Sequence, residues 1–289
     1  EAALANGINA FDTARVYMEA EHSFGNWLEK SGRREEVVIL SKCGHPDAMW
    51  NKRVNEKEMR KDLKKSLEEL KTDYIDIYML HRDDPDTDVA VAVETFNAMH
   101  EEGNIGAFGA SNWTHTRIEE ANEYAYKHNL IPFSVSSPNF CLARQIEDPW
   151  GGGCVNISGP ENQEARAWYE KNQMPVIAYA SLGRGFFSGR MKSEYADHAS
   201  DYLDSFAMTG YACSDNFERL RRCEIIAERH GVTVAQIAMN WIFSHPLNIF
   251  AIASMSKADR MKANREALLL QLSDEEIAYL DLETPEFCG

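Results

Sequence analysis

At 289 residues, with 44% hydrophobic and 26% charged side chains, the chain has ordinary globular composition and is long enough for one large α/β domain. A formal net charge of −16 opposes a nucleic-acid or anionic-membrane partner, though not a small phosphorylated ligand held by a local cluster of donors. No uncharged apolar run reaches about 18 residues, no basic-then-apolar leader opens the chain, and the cysteines (Cys43, Cys141, Cys154, Cys213, Cys223, Cys288) lack CxxC or zinc-ligand spacing. They read as buried small hydrophobes of a reduced, cytoplasmic protein, and no grouping points to a metal.

In chain order, residues 1–6 read as the tail of a helix already begun. Short β-branched or aromatic runs then alternate with longer segments of helical period. Strands are expected at Ile8–Phe11, Val37–Ser41, Tyr74–Leu80, Ile105–Ala110, Phe133–Ser136, Val176–Ala180 and Ile249–Ala253. Helices are expected near 19–30, 56–71, 88–102, 114–128, 161–172, 215–229, 233–244, 257–267 and 273–281, the last opened by the N-cap run Ser273-Asp274-Glu275-Glu276. Alternation of this kind predicts a parallel sheet with crossover helices. Seven strands are one short of a closed (β/α)8 TIM barrel, so the expectation is a single barrel domain over 1–289 whose first strand precedes Glu1; an open seven-stranded sheet is the alternative.

Two strand-to-helix connections are long, 139–160 and 181–214, and both follow strands, on the face where barrels keep their active sites. The run Asp148-Pro149-Trp150-Gly151-Gly152-Gly153 opens no helix and fails as a dinucleotide fingerprint; it reads as a flexible loop. The 181–214 segment, with Phe186, Phe187, Tyr195, Tyr202 and Phe206, is a candidate substrate lid.

Three apolar strands end on polar groups: Asp12 after Phe11, Lys42 after Ser41, His81 after Leu80, with Tyr17 five residues beyond Asp12. A charge leaving an apolar strand is costly unless paired. Such a cluster suits proton transfer. An ammonium from Lys42 favours the phenolate of Tyr17, Asp12 holds Lys42, and His81 polarises a carbonyl oxygen.

Phe11-Asp12-Thr13-Ala14-Arg15-Val16-Tyr17 with Glu21 and Gly25, then Ser41-Lys42, then Leu80-His81, resembles the catalytic tetrad of the aldo-keto reductase superfamily, and the likeness covers almost the whole chain. The resemblance implies an oxidoreductase that reduces an aldehyde, ketone or sugar-derived carbonyl with hydride from NADP(H), ahead of NAD(H), while Tyr17 donates the proton. It also implies a nicotinamide-end site at Ser111, Asn112, Ser137 and Tyr179, and a pyrophosphate loop at Ser181, Leu182, Gly183 and Gly185 with Arg190. The adenosine end is implied at Ser254, Ser256, Arg260 and Asn264, with Arg260 and Lys257 as candidates for a 2′-phosphate. Three positions depart from the family pattern: Met18 stands where glycine is usual, Ser137 where glutamine is usual, and Ser254 where lysine or glycine is frequent. Trp50 and Trp113 follow the mouth residues and are candidates for a substrate clamp. Lys257, Arg260 and Lys262 also fit a merely solvated helix face. Two other functions remain open: a barrel aldolase with Lys42 as Schiff-base nucleophile, and a non-catalytic NADP(H)-binding sensor with a protein partner, as in the superfamily's potassium-channel β-subunits. Whether the chain forms a homo-oligomer is open too.

Overall fold

The computed structural model describes residues 1–255 and 257–285. The chain forms two compact units, Gly7–Ser137, and the residues from Pro138 onward together with Glu1–Asn6. Short helix α1 (Ala2–Ala5) comes first in chain order and belongs to the latter.

The Gly7–Ser137 unit alternates β1 (Ala10–Asp12), α2 (Ala20–Ser31), β2 (Val38–Cys43), α3 (Glu56–Leu70), β3 (Ile75–Leu80), α4 (Val89–Glu101), β4 (Ile105–Ser111), α5 (His115–Lys127) and β5 (Val135–Ser137). Each strand pairs in parallel with the next, in registers such as Phe11 with Ile39, Ser41 with Tyr78, and Ala110 with Ser136. Crossover helices leave little of such a sheet to solvent, which is why Val38–Cys43 and Ile75–Leu80 are buried or half-buried throughout instead of alternating with exposed positions. Caps set the helix starts: Asn55 accepts from the Glu58 amide at 3.0 Å and Asp88 from the Ala90 amide at 2.8 Å. Helix α2 lies so close to α3 that a Cβ on Gly25 would stand 2.0 Å from the Glu69 carbonyl oxygen, so only glycine fits there. Phe96, Phe108 and Phe133 interlock beneath the sheet, with Phe96 stacked on Phe108 at 5.4 Å and Phe133 edge-on to both. Each such buried ring contributes about 1.5–3 kcal/mol.

The other unit contains α6 (Gln163–Asn172), β6 (Val176–Ala178), α7 (Ser205–Tyr211), α8 (Ser214–His230), α9 (Val234–Phe243), β7 (Ile249–Ala251), α10 (Ala258–Glu266) and α11 (Asp274–Leu280). β6 and β7 are parallel, Ile177 opposite Phe250. Residues Gln236–Ile242 of α9 are all buried, as befits a helix apolar all round. The N-cap read at Ser273 is a full capping box: its hydroxyl accepts from the Glu276 amide at 3.2 Å, and its own amide donates to Glu276 Oε2 at 2.8 Å.

Every expected strand and helix occurs with its ends displaced by no more than two residues. Segment 181–214 is less irregular than expected, since it contains a 3₁₀ stretch at Ser193–Asp201 as well as α7. Among the described residues, no helix is long and apolar enough to cross a membrane. Cys43, Cys141 and Cys223 are buried, Cys154 and Cys213 half-buried, and Cys288 lies outside the described residues.

Candidate active site

Asp12 ends β1, Lys42 sits in β2, and His81 follows β3, so parallel pairing carries all three to the C-terminal ends of adjacent strands. Lys42 is only 3% exposed. Its ammonium donates to Asp12 Oδ1 and, at 3.0 Å, to the Thr13 carbonyl. Burial pushes the lysine below its ordinary pKa, and the Asp12 carboxylate, with Glu21 further off, holds it up against that; burial in turn raises Asp12.

Tyr17 stands on the loop between β1 and α2, 42% exposed. Lys42 Nζ lies 5.3 Å from its ring centroid, and its ring meets His81 edge-on at 5.4 Å and 86°. That loop is tied to β2 from both ends. The Arg15 amide donates to the Lys42 carbonyl at 3.1 Å, and wholly buried Glu21 takes the Arg15 guanidinium on one oxygen and the Ser41 hydroxyl, at 2.6 Å, on the other. Glu21 therefore fixes Tyr17's loop against Lys42's strand. The sequence reading used Glu21 only as part of a motif.

Burial, reinforced by Lys42, His45 and Arg82, holds His81 well below the usual histidine pKa, so the ring is neutral. Its Nδ1 is sealed from solvent with no partner among the described residues. An unpartnered buried N–H costs more than a bare lone pair, which puts the proton on Nε2. His81 thus presents an N–H donor at Nε2. Behind it, the Asn112 side-chain amide donates to the His81 carbonyl at 3.0 Å and to Ser111 Oγ at 3.1 Å, and Ser111 Oγ donates to the Ser137 carbonyl at 2.8 Å. Asn112 adopts φ 61°, a left-handed conformation that asparagine tolerates well. Tetrad, Ser111, Asn112 and Ser137 all lie in one unit, at the ends of neighbouring strands.

The two aromatic candidates part ways. Trp50 is 60% exposed, whereas Trp113 is 1% exposed, packed on Phe133 at 5.5 Å and under the Arg117 guanidinium at 5.0 Å, a core position rather than an open wall. His45, which the sequence reading passed over, stands T-shaped on His81 with centroids 5.0 Å apart. Its only sequence signal is a histidine three residues beyond Lys42.

In the other unit, half-buried Tyr179 follows β6 and meets Trp150 edge-on at 5.8 Å. Arg184 lies over Trp150 at 5.5 Å and Phe206 at 5.0 Å and pairs with Asp204 at 2.8 Å. The Ile146 amide donates to the Gly210 carbonyl at 2.8 Å, so loops 139–160 and 181–214 are stitched together. Phe186 and Phe187 are core residues, and Tyr195 stacks on Tyr202 at 4.6 Å. Ser181 is buried, its hydroxyl donating to the Ile252 carbonyl at 2.8 Å; Leu182 and Gly185 are half-buried and Gly183 is buried. Gly183 and Gly185 hold φ 56° and 96°, which glycine adopts without cost. Arg190, Ser254, Lys257 and Arg260 are exposed, and Asn264 donates to the Met255 sulfur at 3.1 Å. Ser256 lies outside the described residues.

The chain matches the Aldo/keto reductase family over residues 1–282. It is 28% identical to "Protein tas" of Escherichia coli strain K12, over 96% of this chain and 86% of that one. It is 25% identical to "Aldo-keto reductase str7" of Strobilurus tenacellus, over 96% of this chain and 77% of the other. Among solved structures, a thermostable aldo-keto reductase, Tm1743, crystallised with the inhibitor epalrestat, superposes with a TM-score of 0.69 at 24% identity, covering 97% of this chain and 84% of that one. That likeness carries the fold, the (β/α)8 barrel class expected from the alternation of elements. The chain belongs to the aldo/keto reductase family and is an oxidoreductase of that family.

Proposed function

We propose that this protein reduces an aldehyde, ketone or sugar-derived carbonyl with NADP(H), Tyr17 giving the proton to the carbonyl oxygen. One observation carries the reading: Lys42 Nζ lies 5.3 Å from the Tyr17 ring centroid while neutral His81 stands edge-on to the same ring. An ammonium beside the phenol stabilises the phenolate left when the proton departs, and His81 Nε2–H polarises the oxygen that receives it. The Asp12 carboxylate favours the charged form of Lys42 against burial, so the pair works as one unit.

The donor set of the Gly7–Ser137 unit fits a nicotinamide carboxamide. Ser111, Asn112 and Ser137, two hydroxyls and an amide, lie at the ends of adjoining strands and are bonded to one another and, through Asn112, to the His81 carbonyl, so a carboxamide would exchange into that network. When bound, the nicotinamide supplies the hydride that reduces the carbonyl carbon. Within the other unit, Arg190 and the glycine turns at 183 and 185 are candidates for phosphate, Ser254, Lys257, Arg260 and Asn264 for adenosine, and Tyr179 is a candidate stacking aromatic. Arg260 and Lys257 have no carboxylate partner among the described residues, which supports a 2′-phosphate contact and so NADP(H) over NAD(H). The aldolase reading lacks such support, because Lys42 is 3% exposed with its ammonium committed to Asp12 and Thr13.

The test is a titration of the chain with NADPH and NADH by nicotinamide fluorescence, followed by turnover on an aldehyde panel, for wild type and Tyr17→Phe. The variant is expected to lose roughly 10²–10⁴-fold in rate while keeping its NADPH affinity, because only the proton donor is gone. A loss of affinity as large as the loss of rate makes Tyr17 a structural residue. Tight binding without turnover in the wild type favours the sensor reading.

A further inference from the structure

We propose that His45 recognises the substrate, accepting a hydrogen bond from a hydroxyl next to the reacting carbonyl, so that the preferred substrates are hydroxyaldehydes or hydroxyketones. The inference rests on the carbonyl-reductase reading above and narrows it.

Three rings stand in a row at the ends of β1, β2 and β3. Tyr17 meets His81 edge-on at 5.4 Å, and His81 meets His45 edge-on at 5.0 Å and 75°. His45 is half-buried, and its main chain is held in place: its carbonyl accepts from Arg53 at 3.1 Å, and the neighbouring Gly44 amide donates to Asp62 at 3.0 Å. The Pro46 carbonyl oxygen lies 2.8 Å from His45 Nδ1. A carbonyl oxygen only accepts, so Nδ1 carries hydrogen. Burial, with Arg82 and Arg53 nearby, holds the ring below the usual histidine pKa despite the Pro46 contact, so His45 is neutral and Nε2 is a bare lone pair. No hydrogen bond to Nε2 exists among the described residues, and that atom is not sealed away as His81 Nδ1 is.

The two imidazoles are therefore opposite in character. His81 presents a donor and His45 an acceptor. A carbonyl oxygen placed for Tyr17 accepts a hydrogen bond from His81 Nε2–H, and a hydroxyl on the adjoining carbon donates one to His45 Nε2. A plain alkanal covers the His45 lone pair and gives it nothing, which is how a polar site rejects an analogue lacking the matching group.

The measurement is the ratio of kcat/KM for 2-hydroxypropanal to that for propanal, with saturating NADPH, in wild type, His45→Phe and His45→Gln. The wild type is expected to favour the hydroxyaldehyde. Phenylalanine keeps the ring packing on His81 but removes the acceptor, so the ratio should fall about five- to tenfold. Glutamine brings back an acceptor oxygen and should recover part of that preference. If His45 only props up His81, both substrates suffer alike and the ratio stays put, which overturns the inference while leaving the reductase reading intact. Turnover of neither aldehyde by the wild type, with either nicotinamide coenzyme, overturns the reductase reading and this inference with it.

Discussion

Met18 sits directly after Tyr17 with φ 47°, in the left-handed region, and is 84% exposed. For an L-residue that conformation costs roughly 1–2 kcal/mol, whereas glycine adopts it freely. The usual glycine of the family at this position thus has a steric reason, and the methionine side chain, out in solvent, has little packing to repay the strain. Met18→Gly should stabilise the protein by about 0.5–1 kcal/mol, after allowing for the extra entropy glycine loses on folding. Urea unfolding at constant m-value measures this, and a lowered midpoint would show that the methionine is held by contacts of its own. Asp12, Lys42 and His81 were readable from sequence because each interrupts an apolar strand at its end. Glu21 and His45 were not. Glu21 looks like any first-turn acid on a surface helix, and its burial depends on Arg15 and Ser41, 6 and 20 residues away. The acceptor character of His45 depends on which way its ring turns toward Pro46, and no spacing encodes a rotamer.

Helix α9 is tied to the C-cap of α11 by a polar contact, the Trp241 indole N–H donating to Asp281 Oδ1 at 2.9 Å. Asp281 caps the C-terminal end of α11, where the helix dipole disfavours an anion. Burial chiefly, with Glu283 adding to it, raises its pKa to about 6, against the Trp241 bond and the more distant Arg219 and Arg166. The folded pKa exceeds the unfolded one, so Asp281 imposes no penalty below the unfolded value of 3.8, and stability is lost as pH rises from there through about 6. A shift of this size corresponds to about 2–3 kcal/mol. Asp281→Asn keeps an oxygen for Trp241 and removes the charge. It should therefore be more stable than wild type near neutral pH, with the gap closing at acid pH; equal stabilities at neutral pH would mean that water reaches the carboxylate after all. The boundaries of α9 and α11 were legible because full apolar periods and capping boxes mark them. Helix α7 and the 3₁₀ turn at Ser193–Asp201 were not, since pieces so short rarely complete a period and owe their order to contacts such as Arg184 with Trp150 and Phe206.

At the scale of the whole chain, the alternation of strands and helices made the fold class legible, because parallel pairing demands a crossover between strands and leaves its period in the sequence. The division into two compact units left no such trace, since no linker or change of composition marks Ser137–Pro138. Charge poses a further problem at this scale. A net −16 repels a nucleotide that bears several phosphate charges, so the proposed NADPH contact must be local. Lys257 and Arg260 are exposed cations without carboxylate partners among the described residues, while Lys262 has Glu266 at 3.7 Å. Between about 0.01 and 0.15 M salt the Debye length falls from about 30 to about 8 Å, which weakens an exposed contact with the 2′-phosphate as well as the distant repulsion; the close pair carries the larger energy, so wild-type NADPH binding should weaken as salt is added. Replacing both residues, Lys257→Ala with Arg260→Ala, removes the local attraction and leaves the repulsion. NADPH binding by that variant should then strengthen, or stay level, as salt is added, as NADH binding by the wild type should, because NADH lacks the 2′-phosphate. Fluorescence titrations across that range decide the matter: if the double variant still weakens with salt as steeply as wild type does with NADPH, the phosphate is gripped elsewhere, and Arg190 becomes the residue to replace next.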